Sequence, residues 1–417
     1  MSEADKNLHC SFCAKDSREV KKLIQGPGVY ICDECVDLCH SILSDSIDVS
    51  KAKETAPSVQ DAIPSPSKLK SYLDQYIIGQ DYAKMVVSVA VHNHYKRLAH
   101  PVVDDVELEK SNILLFGPTG SGKTLIAQSI AKYLDVPFAM ADATSLTEAG
   151  YVGDDVESIV TKLLQAAGGD VQKAERGIIY LDEIDKKHKK EGGSNSKDVS
   201  GEGVQQALLK IIEGSEVMVP TGGNKKSPQS EMVKINTKNI LFIVGGAFVG
   251  LEKVVSKAMQ NGPTVGFGST ARGEKPVNEV LRHTRPEHLV GFGIIPELIG
   301  RLPVHAPLEE LSSDQLVRVL TEPKNAVIKQ FVKMFELSGV ELSFDEKALQ
   351  EVAKIAKERK TGARGLRSVI ENKLVKTQFD LPELKEQGAV KIVIDADTIT
   401  SDKEPHVVYS EQTDVAK

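Results

Sequence analysis

The sequence predicts an α/β fold: a parallel sheet with helices on both faces, followed by a small C-terminal α+β domain and preceded by a four-cysteine zinc module. Three observations carry this. The apolar run Ile113-Leu114-Leu115-Phe116 leads into Gly117-Pro118-Thr119-Gly120-Ser121-Gly122-Lys123-Thr124, and a helix-period pattern follows it. Further short apolar runs alternate with helical patterns downstream, which implies parallel strands joined by crossover helices. Two C-x₂-C pairs stand near the start of the chain.

Composition narrows the function. The 417 residues suggest two or three domains. A net charge of −7 and the lack of Trp argue against a dedicated nucleic-acid binder, which needs a basic, aromatic-studded surface. No apolar run is long enough to span a bilayer, and the N-terminus lacks a secretory core, so a cytoplasmic protein is expected.

Residues 1–50 form the first expected domain. Cys10, Cys13, Cys32 and Cys35 are two C-x₂-C pairs separated by eighteen residues, a spacing that suits four thiolates on one structural Zn²⁺. Gly26-Pro27-Gly28 marks a turn between the pairs. A module this short needs the metal for most of its folding energy. Cys39, one helical turn after Cys35, reads as a small buried apolar residue rather than a fifth ligand. Residues 51–67, with Pro57, Pro64 and Pro66 among polar residues, read as a flexible linker.

Residues 68–309 should be the nucleotide-binding domain. Ile77 and Ile78, beside Gly79, are an apolar pair able to line an adenine pocket, and a helix is expected over 83–95. The sequence Gly117–Thr124 matches G-x-x-x-x-G-K-[ST] at every fixed position. Its glycines let backbone N–H groups turn inward on a phosphate chain, and the helix that follows adds its positive end. Lys123 then reaches the β- and γ-phosphates of ATP, Thr124 holds Mg²⁺, and Leu125 continues the helix. Strands are expected at 136–140, 177–181, 240–244 and 303–306. The third of the five strands ends in Asp182-Glu183. Asp182 is placed to hold Mg²⁺, partly through water, and Glu183 to polarise the attacking water. The end of the fourth strand, Ile243-Val244-Gly245-Gly246, offers no polar side chain to the site.

Residues 310–400 are expected to form the small C-terminal domain. Helices are expected over 312–335 and 345–359, another starts at Gly362, and a strand covers 390–394. The tail, 401–417, reads as polar and frayed.

The phosphate loop, Leu181-Asp182-Glu183-Ile184-Asp185 and the late Gly362-Ala363-Arg364 resemble the AAA+ ATPases. With the four cysteines, Gly150-Tyr151-Val152-Gly153 and the run Val199 to Gln206, the likeness is specifically to the ClpX family of ATP-driven protein unfoldases and covers residues 8 to about 400. It implies a homo-hexameric ring that threads tagged or misfolded proteins, with or without adaptors, into a ClpP-type peptidase. It implies that Tyr151 and Val152 line the pore, that Lys225 and Lys226 lie in a basic loop at its entrance, and that Val265, Gly266 and Phe267 dock on the peptidase. It further implies that Arg301 completes a neighbour's ATP site and that Arg364 reads the bound nucleotide. The family's Arg-Lys-His at the entrance loop is Asn224-Lys225-Lys226 here, and its docking Ile is Val265. The chain shows no nucleophile–His–acid set, so peptide cleavage would belong to the partner. The rival class, a nucleic-acid motor gripping DNA through the zinc module, is disfavoured by the acidic balance.

Overall fold

The computed structural model describes residues 9–46, 63–100, 102–103, 106–147, 154–187, 201–221, 232–260, 276–401 and 403–410. They belong to two compact units, one up to Ile63 and one from Pro64 onward.

The first unit is a hairpin and a helix. Strands Leu23–Gly26 and Val29–Cys32 pair antiparallel around the expected turn, where Gly28 takes φ +78°. The helix Asp33–Ser46 begins directly after Cys32. Its core is little more than Cys10, Cys32 and Cys35 with Val20, Leu23 and Ile31 packed against them, far too small to hold a fold unaided.

The second unit is built on five parallel strands: β1 (Ile113–Phe116), β2 (Phe138–Asp142), β3 (Ile178–Asp182), β4 (Leu241–Gly246) and β5 (Val304–Pro307). Their spatial order is β5-β1-β4-β3-β2, every neighbouring pair parallel. The apolar runs are explained by burial on both faces. Leu114, Phe116, Ile179, Leu181, Phe242 and Val244 face one core, and Ile113, Leu115, Ile178, Tyr180, Leu241 and Ile243 face the other. The helix Lys123–Leu134 covers the second face with Ile126, Ala127, Ile130 and Ala131.

A separate core follows in the same unit, with Leu316, Phe331, Phe335, Val352, Leu366, Ile370 and Ile392 at its centre. Two expectations are corrected here. The helix read across 312–335 is two helices, Ser313–Thr321 and Val327–Leu337, because Pro323 cannot continue the first. The polar tail is not wholly frayed: His406–Tyr409 pairs antiparallel with Ala389–Ile394 and completes a three-stranded sheet with Glu341–Phe344. The antiparallel pair Glu216–Pro220 and Met232–Asn236 was not expected from the sequence, because its alternating buried and exposed residues are too few to stand out. Among the described residues no helix is long and apolar enough to cross a membrane.

Candidate functional site

The carboxyl ends of β1 and β3 converge on one place. After β1 the chain turns through Gly117 (φ +147°), Gly120 (φ +76°) and Gly122 (φ +105°) into the helix that starts at Lys123. A side chain at Gly117 would run into the Leu308 carbonyl, and a Cβ at Gly120 would lie 2.5 Å from that of Thr361. The glycines are thus demanded by neighbours as well as by conformation.

Lys123 is buried at the head of that helix, its Nζ donating to the carbonyls of Gly117 (2.8 Å) and Pro118 (2.9 Å). Burial lowers its pKa to about 8, against the pull of Asp182, Asp185 and Glu183 and with a push from Arg364. Thr124 Oγ1 donates to Asp182 Oδ2 at 3.2 Å. The other carboxylate oxygen, Oδ1, accepts from the Tyr180 hydroxyl (3.1 Å) and the Glu183 amide (3.0 Å). Glu183 itself sits at φ +57°, a left-handed conformation that costs a non-glycine residue energy and recurs at functional sites. A hydroxyl beside a carboxylate is the hard-oxygen pair that suits Mg²⁺, and an ammonium with backbone N–H groups at a helix start suits phosphate.

Ile77 and Ile78 are both buried, and the Ile77 side chain lies against Gly122. Leu125 is partly exposed on the outer side of its helix. Arg364 comes close enough to act electrostatically on both Lys123 and Tyr180. Its neighbour Arg367 is engaged elsewhere, bonded to Glu371 (2.7 Å) and Gln330 (3.0 Å). Arg301 is not gathered into this cluster: its Nε donates to Glu213 Oε1 at 2.9 Å, and its side chain is 56% exposed. Tyr151 and Val152, Lys225 and Lys226, and Val265, Gly266 and Phe267 lie outside the described residues.

Three supporting residues were given no role in the site from the sequence. Gln80, buried at φ +60°, donates to the Ser121 (3.3 Å) and Glu309 (2.8 Å) carbonyls and accepts from the Glu309 amide (2.8 Å). Asp185 accepts from the amides of Ala247 (3.1 Å) and Phe248 (3.3 Å), pinning the chain just after β4. Gly362, at φ +56°, abuts the phosphate loop; a Cβ there would be 2.8 Å from the Thr119 carbonyl, and the next residue, Ala363, donates its amide to Gly120 (3.2 Å). A Gln straight after Gly79 and a second acid two residues beyond Glu183 were the available signals.

In the first unit, the sulfurs of Cys10, Cys13, Cys32 and Cys35 all lie within 4.8 Å of one another, Cys13 and Cys32 at 3.6 Å. Four thiolates at 2.3 Å around one tetrahedral ion stand about 3.8 Å apart, so the set fits Zn²⁺. Burial raises the Cys10 pKa, but the amides of Cys13, Phe12 and Cys32 outweigh it and bring the thiol to about 6, whereas burial and the neighbouring thiols push Cys35 up, so without a cation the four crowded sulfurs do not all ionise. Cys39 is half-buried, not the fully buried residue expected, and is not part of the cluster.

The family model for the ClpX C4-type zinc finger matches residues 8–45, that for the AAA domain (Cdc48 subfamily) 108–305, and that for the C-terminal D2-small domain of ClpB protein 311–391. The ATP-dependent Clp protease ATP-binding subunit ClpX of Treponema denticola is 51% identical over 392 residues, covering 93% of this chain and 92% of the relative.

Proposed function

The chain belongs to the ClpX family, an AAA ATPase that uses ATP with Mg²⁺ and carries Zn²⁺ on its four cysteines, and from this we propose that it works as a protein unfoldase. Six copies would form a ring that unfolds tagged proteins and feeds them to a ClpP-type peptidase. The observation that carries the chemistry is the meeting of Lys123, Thr124, Asp182 and Glu183 at the strand ends.

Each residue has a role in this scheme. The Gly117–Thr124 loop and the Lys123 ammonium hold the phosphates, and Ile77 and Ile78 flank the base. Thr124 and Asp182 hold Mg²⁺, which draws charge from the phosphates when bound. Glu183 accepts the proton of the attacking water. Arg364 senses the nucleotide from the small domain, and Arg301 reaches the site of the adjoining copy. Tyr151 and Val152 grip the threaded chain, Lys225 and Lys226 attract an acidic tag terminus, and Val265–Phe267 dock on the peptidase. The zinc module recruits clients or adaptors.

The deciding experiment mixes the protein, ATP, a ClpP-type peptidase and a stable fluorescent protein with a C-terminal degradation tag. Fluorescence should fall only with ATP and only when Tyr151 is intact. ATP consumption with no loss of any folded client, peptidase present or absent, would overturn the proposal.

A further inference from the structure

We propose that Tyr180 is a positioning residue for the Mg²⁺ site: its hydroxyl, passing over Gly245, fixes the Asp182 carboxylate. This deepens the function above and rests on Thr124 and Asp182 being the Mg²⁺-holding pair.

Tyr180 is a misfit in its strand. β3 is Ile178-Ile179-Tyr180-Leu181-Asp182, and its tyrosine is fully buried between aliphatic neighbours. Phenylalanine would fill the same volume with no polar atom to satisfy. The hydroxyl instead meets Asp182 Oδ1 at 3.1 Å, with Thr124 close by. A carboxylate oxygen only accepts, so in this contact the phenol O–H is the donor. With the Glu183 amide it engages Oδ1 twice, which leaves Oδ2 turned toward Thr124.

β4 has the complementary shape. A Cβ built at Gly245 would overlap the Tyr180 hydroxyl, and one at Gly246 would lie 2.5 Å from the Phe248 ring and 2.8 Å from Asp185 Oδ1. Any side chain at Gly245 would displace the hydroxyl. The absence of a polar residue at the end of β4 and the presence of a tyrosine in β3 are thus one arrangement. Groups that orient a metal-holding carboxylate are worth about 10–100-fold in metal affinity.

The test uses the full chain in a Glu183→Gln background, so that bound ATP is not consumed, and follows fluorescent ATP binding over a Mg²⁺ titration. Tyr180→Phe should bind nucleotide in EDTA like its parent and lose no more than a few degrees of thermal midpoint for the missing hydrogen bond. Its half-maximal Mg²⁺ concentration should rise roughly tenfold. Gly245→Ala, which retains the hydroxyl but crowds it aside, should show the same rise and serves if Tyr180→Phe does not fold. Asp182→Asn should abolish the Mg²⁺ effect. If Asp182→Asn shifts the titration while Tyr180→Phe or Gly245→Ala superimposes on the parent, Tyr180 only fills space and the inference falls alone. If Asp182→Asn also superimposes, the Mg²⁺ assignment falls with it.

Discussion

At the scale of the residue, Glu183 and Lys123 make separate demands. Glu183→Gln keeps the shape of the site but cannot accept a proton. Turnover should drop by about 10²–10⁴-fold with ATP affinity preserved; equal turnover in a phosphate-release assay would remove Glu183 from the mechanism. Lys123 is useful as an ammonium, and burial holds its pKa at about 8 in the free protein. Phosphate binding favours the charged form and so raises that value. Below pH 8 the lysine is already charged and affinity should be flat. Above it, binding must take up a proton, and affinity should fall by up to about tenfold per pH unit. Calorimetry at pH 8.5 in two buffers of different ionisation enthalpy would reveal the uptake; identical heats after correction for the rest of the reaction would refute it.

At the scale of the element, the phosphate loop, the acidic strand and the cysteine pairs were legible because their chemistry is local. Strand, glycines, lysine and helix are contiguous in Ile113–Leu134, and each cysteine pair closes within one turn. What the sequence hid was non-local or small. Gln80 finds Glu309 across more than two hundred residues, and Gly362 meets Thr119 and Gly120 only after folding. Pro323 was a visible break that apolar periodicity on either side concealed. Arg301 shows the opposite problem: its pairing with Glu213 is ordinary for a surface arginine, and its proposed role needs a second chain. Two element-scale outcomes follow. Gly362→Ala forces a side chain into a left-handed residue against the Thr119 carbonyl, so it should lower stability by about 1–3 kcal/mol in thermal unfolding. It should also weaken nucleotide binding, because the strain lies on the phosphate loop; unchanged affinity would separate the two. Cys10→Ser should release Zn²⁺ and expose the first unit to protease while ATP turnover persists. Retained metal would contradict the four-thiolate site.

At the scale of the whole molecule, the proposed ring can be tested by complementation. Arg301→Ala should cut turnover by about 10³-fold or more, and Glu183→Gln should do so independently. Mixed before assembly, the two variants should recover activity, since some seams would pair an intact arginine with an intact glutamate. No recovery would place Arg301 outside a shared site. The three bonds of Gln80 add a constraint on how such an assembly can move. One flat amide group clasps the phosphate loop at Ser121 and, with both its ends, the first residues leading into the small domain at Glu309. A planar group cannot stretch to follow partners that separate. Any motion that carries Glu309 away from Ser121 must therefore snap this clasp or drag the loop along, so a free swing of the small domain has to turn on bonds beyond Glu309.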